Sequence, residues 1–90
     1  MKANQATVNR LLKTARGQLD GILKMVEEDR YCIDIYNQLS ATQAIISKAN
    51  REIIKGHLDG CVKDALESDN EMEKDKKLTE LSQLLEKFLK

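Results

Sequence analysis

Apolar residues recur at spacings of three and four over the first part of the chain, which is the period of an amphipathic helix. The members of this stripe are Val8, Leu11, Leu12, Ala15, Leu19, Ile22, Leu23 and Val26. The acidic cluster 27–29 predicts a turn, with Asp29 as the N-cap of the next helix. Gly17 and Gly21 lie four residues apart within the helix. Each weakens it by about 1 kcal/mol relative to Ala, so we expect another backbone to pack close by.

Two further helices follow in the pattern. A second stripe over residues 30–67 consists of Ile35, Leu39, Ile46, Ala49 and Ile53, with Thr42 in its one polar gap. At about 1.5 Å per residue this helix would be roughly 55 Å long, more than a 90-residue globule needs. Ser68-Asp69-Asn70 predicts a break, and after the charged stretch 71–77 a third, shorter helix is predicted from Leu78, Leu81, Leu84, Leu85, Phe88 and Leu89. The chain has no proline and no strand signal, so the predicted fold class is all-α, three helices with one long central helix.

Length and composition indicate one soluble helical domain over residues 1–90. A monomer of this size buries only about 60 % of its unfolded surface, and three aromatic residues add little, so oligomerisation is the simplest source of stability. Apolar runs never exceed three residues and polar groups are interspersed up to Ala15, so we expect no membrane span, no signal peptide and a cytoplasmic location. The only two cysteines are expected to be thiols rather than a disulfide.

Charge is unevenly distributed although 15 basic and 15 acidic residues cancel. Residues 1–16 contain four basic residues and no acid, whereas residues 57–90 contain nine acids and six bases. The basic residues within 1–16 form either a solvated helix face or a patch that contacts nucleic-acid phosphates. Lys48, Arg51 and Lys55, spaced three and four apart, share a face that could extend such a patch.

Cys32, His57 and Cys61 are the only thiols and the only imidazole of the chain. At about 100° per residue, His57 and Cys61 project within about 20° of Cys32, so all three lie along one line of the long helix. His57 and Cys61 are one turn apart, but Cys32 lies roughly 37 Å away along the axis, too far for a metal bond of about 2.0–2.3 Å. If the three form one site, Cys32 must come from another chain. An antiparallel, two-fold-related pair of helices crossing near Ile45 and Ile46 would make two equivalent sites.

Each of these residues also has a structural interpretation, because free cysteines are often buried hydrophobes and a lone histidine can simply fill an interface. The collinearity of the three residues, and the thin stretch of helix that Gly56 and Gly60 provide, favour a shared metal site. Two thiolates and an imidazole suit trigonal Cu(I), or Zn(II) with an added water. No general base or cofactor motif accompanies them, so we do not expect an enzyme.

Several runs of the chain resemble the copper-sensing operon repressors, within the wider family of bacterial metal- and formaldehyde-responsive repressors. The resemblance covers about residues 10–90, and its motifs are Tyr-Cys, Ala-Asn-Arg and His-x3-Cys within the runs 16–22, 25–34, 38–44, 48–52 and 57–62. It implies an all-α protein without a helix-turn-helix, an antiparallel helical dimer and usually a dimer of dimers. It also implies operator DNA bound by the metal-free form and released when Cu(I) binds, which switches on copper export or storage genes.

The resemblance also implies roles for individual residues. Cys32 of one protomer with His57 and Cys61 of the other match the copper ligands, and Tyr31 and Glu80 match a pair that connects the histidine to the third helix. Arg16 and Lys48 match positions that contact DNA, and Lys13 stays in register with a basic residue of the family. The predicted DNA-binding residues are therefore Arg10, Lys13, Arg16 and Lys48. Arg10 departs from the family pattern, because it precedes an extra leucine and Leu11 takes the usual arginine position.

Ligand chemistry selects Cu(I) within the family. No histidine precedes His57, unlike in nickel and cobalt sensors, and no proline accompanies the cysteines, unlike in formaldehyde sensors. Persulfide sensors usually lack the histidine. The alternative function is a helical regulator that responds to oxidants or persulfides through its thiols, or to zinc.

Overall fold

A computed structural model describes residues 1–88, except for the side chains at positions 61 and 88. The chain forms three helices: α1 (Gln5–Glu27), α2 (Cys32–Glu67) and α3 (Glu71–Phe88), and residues 1–88 include no strand. The all-α prediction with one long central helix is confirmed, since α2 has 36 residues.

Local hydrogen bonds explain where α1 begins and ends. The Asn4 side chain accepts a hydrogen bond from the Thr7 N–H (3.1 Å) and caps the first turn. At the other end the N–H of Asp29 donates to Val26 (3.1 Å) and that of Arg30 to Met25 (3.0 Å). With Asp29 at φ 52°, this is a Schellman ending. The prediction of Asp29 as an N-cap is wrong: its left-handed backbone terminates α1, and Tyr31 is the N-cap of α2.

Helices α1 and α2 form an antiparallel hairpin with a slender core. The buried apolar residues of these helices are Val8, Leu11, Ala15 and Ile22 of α1 and Ala49 and Ala65 of α2. Thr42, only 2 % exposed, explains the polar gap of the second stripe. Its hydroxyl lies 2.7 Å from Gln18 Oε1 and 3.1 Å from the Gln38 carbonyl oxygen, so the buried polar group has partners on both helices.

Residues 1–4 lie across the second half of α2. Ala3 is buried there, and a Cβ at Gly56 would overlap the Ala3 backbone, so glycine is required for this close approach. By contrast, a Cβ at Gly17 or Gly21 would meet nothing within 4 Å. The close backbone neighbour expected for those two glycines is therefore absent from the described part of this chain.

Helix α3 begins earlier than its leucines predict. Asn70 Oδ1 accepts hydrogen bonds from the N–H groups of Met72 (2.9 Å) and Glu73 (3.4 Å), so the helix starts at Glu71. Acidic residues in the first turn complement the helix dipole. The charged stretch 71–77, predicted to precede the helix, thus forms its first two turns.

The molecule is elongated, with extents of 60 × 27 × 13 Å. Its radius of gyration is 18.3 Å, against about 12 Å for a compact chain of this length. Many large apolar side chains are exposed as a result. Among residues 1–88, no helix has the length and apolar character needed to cross a membrane.

Candidate functional site

The imidazole of His57 links α2 to α3. Its Nε2 lies 2.9 Å from Glu80 Oε1, and both side chains are about half exposed. When Nε2–H donates to this carboxylate, the lone pair of Nδ1 remains for a metal ion. The structure therefore brings together two of the predicted site residues, the histidine and its carboxylate.

Cys32 is separate from this pair. Its thiol is free and exposed at the first residue of α2. Since α2 is continuous from Cys32 to His57, their separation along the axis is about 37 Å, as expected. The side chain of Cys61 lies outside the described residues, and the described side chains include no group of three metal-binding residues. A site that joins Cys32 to His57 requires two chains.

Tyr31 lies at the Cys32 end of the helix. It is the N-cap residue of α2, its backbone oxygen accepts from the Asp34 N–H (3.0 Å), and it is 66 % exposed. Within one chain, Tyr31 is therefore as far from His57 as Cys32 is. Like the thiol, it could meet a histidine only on a second chain.

An exposed apolar face lies beside Cys32 and His57. We define the apolar face as six residues, each between 38 % and 62 % exposed: Leu12, Leu19, Leu23, Leu39, Ile46 and Ile53. A helical residue is rotated by about 100° from the one before it, which gives the direction of each side chain around the helix axis. Measured from the line along which α1 and α2 touch, these six side chains are rotated by roughly 30–95°, all in the same sense. In antiparallel helices, offsets of one sign point to one side of the hairpin. Cys32 and His57 share that side.

The predicted DNA-contacting residues are exposed but do not form one patch. Arg10 and Lys48 are offset by about 110–125° in the opposite sense, so they lie on the side away from the apolar face. Lys13 points directly away from α2. Arg16 lies on the other side, at the edge of the apolar face.

Helices α2 and α3 make a second contact, which the sequence did not predict. Asp64 Oδ2 lies 2.7 Å from Lys2 Nζ and 3.4 Å from Lys77 Nζ. The hydrogen bond from Lys2, and then that from Lys77, lowers the pKa of the Asp64 carboxyl below its ordinary 3.8. Spacing offers the only sequence signal: Asp64 lies two turns after His57, and Lys77 lies one turn before Glu80.

Comparisons with known proteins identify the family of the chain. The family model described as metal-sensitive transcriptional repressor matches residues 3–87. The copper-sensing transcriptional repressor CsoR of Mycobacterium ulcerans is 53 % identical over 57 residues, which cover 63 % of this chain and 48 % of that protein. The Bacillus subtilis protein of the same name is 38 % identical over 89 residues, covering 99 % of this chain and 84 % of its own length. The chain spans about half the length of the mycobacterial relatives that it matches.

A solved structure gives the same result for the fold. The copper-sensing repressor CsoR with Cu(I) from Geobacillus thermodenitrificans NG80-2 superposes with a TM-score of 0.75 at 36 % identity, covering 92 % of this chain and 83 % of that one. The resemblance found from the sequence motifs is thereby confirmed, and the chain belongs to the family of metal-sensitive transcriptional repressors.

Proposed function

We propose that the protein is a Cu(I)-responsive transcriptional repressor: its copper-free form binds operator DNA, and copper binding releases the DNA and derepresses copper-resistance genes. The observation that supports this most directly is the His57–Glu80 contact of 2.9 Å, because it occupies Nε2 and leaves Nδ1 for a metal. The family is one of repressors rather than enzymes, which agrees with the expectation of a non-catalytic protein.

The proposed copper ligands are Cys32 of one protomer with His57 and Cys61 of the other. Two thiolates and one imidazole form a soft donor set, which suits Cu(I). Copper would supply a fixed bond to the imidazole, so that the ring direction and the Glu80 contact depend on each other. Tyr31 lies beside Cys32 and would approach the same imidazole from the first protomer.

Regulation requires copper to bind the DNA-competent and DNA-released forms with different affinity. The contact between His57 and Glu80 offers the physical basis, since Glu80 belongs to α3 and only the histidine belongs to α2. Orienting the imidazole would therefore favour one position of α3 over another. Coupling of this kind is typically about 5- to 150-fold in affinity.

The proposed assembly is an antiparallel dimer that pairs through the apolar face, and a dimer of dimers on DNA. Exposed leucine and isoleucine side chains beside Cys32 and His57 support this pairing. The chain has no net charge, so binding to DNA requires several copies to align their basic residues: Arg10, Lys13, Arg16 and Lys48. A repressor acts where its DNA is, and we place the protein in the cytoplasm.

The decisive experiment measures binding to a labelled duplex, selected from a random-sequence pool by the copper-free protein, with and without Cu(I) under anaerobic conditions. We expect one copper per protomer and weaker binding to DNA when copper is present. Cys32→Ala, His57→Ala and Cys61→Ala should each abolish the response. If binding to the duplex is indifferent to Cu(I), the proposed function is wrong.

Two further arms separate the alternatives. A thiol-based sensor would respond to persulfide or oxidant and would tolerate His57→Ala, whereas a zinc sensor would respond to Zn(II) in place of Cu(I). The double variant Arg16→Glu with Lys48→Glu should lose DNA binding and remain a folded oligomer. Wild-type affinity should also fall steeply with salt, because phosphate contacts release counterions.

A further inference from the structure

One carboxylate joins three parts of the chain close to His57. Asp64 of α2 has its Oδ2 atom 3.4 Å from Lys77 of α3 and 2.7 Å from Lys2 of the segment before α1. These three residues line one small cavity together with His57 and Glu80. The contact therefore adjoins the proposed copper histidine without including it.

Polar contacts matter for the position of α3 because its apolar packing is light. Leu78 is 56 % exposed and Leu85 is 45 % exposed. Lys77 and Glu80 are one helical turn apart, so the Asp64–Lys77 and His57–Glu80 contacts hold the same stretch of α3 against α2. Loss of the Asp64–Lys77 contact would therefore leave the His57–Glu80 contact less well aligned.

The same carboxylate holds the start of the chain. Ala3 packs closely against Gly56, and Lys2 crosses Gly60 before its ammonium group reaches Asp64. Asn4, which follows Ala3, caps α1, so residues 2–4 lead directly into that helix. A carboxyl with an ordinary pKa of 3.8 is ionised at neutral pH, and the hydrogen bonds from Lys2 and then Lys77 lower the pKa of Asp64 further.

We propose that Asp64 is a positioning residue of the copper response, which connects α3 and its Glu80 to the segment that leads into the basic helix α1. The proposal rests on the proposed function and deepens it. Movement of α3 that follows reorientation of His57 shifts Lys77 relative to Asp64 and so changes how the carboxylate holds Lys2. In this way the state of the metal site reaches Arg10 and Lys13, which follow on α1.

The test compares Asp64→Asn with Asp75→Asn, the same change at an exposed position of α3. For each full-length variant we measure Cu(I) affinity by competition with a chromogenic chelator, and affinity for the selected duplex with and without Cu(I). The ratio of the two duplex affinities is the coupling. Lys2→Gln and Lys77→Gln extend the test at the two ends of the contact and replace Asp64→Asn if that variant fails to fold.

We expect Asp64→Asn and Lys2→Gln to lower the coupling by about two- to five-fold, the range for partly exposed ion pairs, with Cu(I) affinity unchanged. Asp75→Asn should keep the wild-type ratio. A Lys2 that merely touched a phosphate would weaken both duplex affinities and leave their ratio intact. Wild-type coupling in both Asp64→Asn and Lys2→Gln overturns the proposal.

Amide hydrogen exchange separates failure of this inference from failure of the proposed function. In Asp64→Asn, exchange should accelerate both in the first turn of α1 and around Glu80, and it should not do so in Asp75→Asn. This readout needs no copper response. If the wild type ignores Cu(I), the proposed function fails, and unchanged exchange in Asp64→Asn would separately show that the carboxylate links nothing.

Discussion

Mixing two inactive variants tests whether the copper site lies between chains. Chains with Cys32→Ala and chains with His57→Ala each lack a ligand, so neither homodimer should bind copper with the full donor set. In a mixed dimer the two substitutions affect the same metal site. The other site then combines an intact Cys32 with an intact His57 and Cys61 from the opposite chain.

The expected copper stoichiometry of the mixed dimer follows from the length of α2. Cys32 and His57 are separated by about 37 Å of continuous helix, against a metal–ligand bond of about 2.0–2.3 Å. Side-chain flexibility cannot close that gap, so an intrachain site would require the helix to break. Mixed dimers should therefore bind one copper per two chains, half of the wild-type stoichiometry.

The assay purifies mixed dimers through a different affinity tag on each chain and titrates them anaerobically with Cu(I). Sulfur-to-copper charge-transfer absorption reports the thiolate bonds, and each homodimer is the control. Mixed dimers that bind no more copper than the homodimers would refute the intersubunit site. Full recovery to one copper per chain would refute it too, because only one of the two sites can be intact.

Four further predictions concern stability and are checked by urea unfolding, the last of them as a function of pH. Gly17→Ala should stabilise the fold by about 0.5–1 kcal/mol through helix propensity, because its Cβ meets no neighbour. Gly56→Ala should be about 1–3 kcal/mol less stable than Gly17→Ala, since its Cβ overlaps Ala3, and equal stability would contradict that contact. Asp29→Gly should stabilise by about 0.5–1 kcal/mol by relieving a left-handed conformation at φ 52°, and a loss of stability would show that the Asp29 side chain matters. The lowered pKa of Asp64 contributes stability above pH 3.8 that is lost as pH falls through the folded-state pKa, so Asp64→Asn should flatten the acid side of the pH profile relative to the wild type.

Helices were predictable from this sequence because their apolar residues repeat with a clear period. The buried residues Val8, Leu11, Ala15 and Ile22 all belong to the predicted stripe of α1. The errors lie at helix ends, where single hydrogen bonds decide the outcome. Asp29 can cap one helix or terminate another, and its sequence neighbours do not distinguish the two conformations.

The candidate site, like the fold, was only partly predictable from the sequence. Collinearity of Cys32 and His57 follows from helical geometry alone and could be calculated from their numbers. The Asp64 contact could not, because it depends on how α3 folds back and on where Lys2 crosses α2. Contacts between elements that are distant in sequence leave only a spacing signal, which many unrelated charged pairs share.

The two sides of the helical hairpin explain how a chain without net charge could bind both copper and DNA. Cys32 and His57 lie on the side of the apolar face, and Arg10 and Lys48 lie on the opposite side. Pairing through the apolar face would therefore complete the proposed metal site and leave the opposite basic residues of both chains exposed. Arg16 is the exception, since it lies at the edge of the apolar face, where pairing would bring it beside the second chain. The surroundings of the Arg16 side chain should therefore change when the dimer forms, whereas those of Arg10 should not.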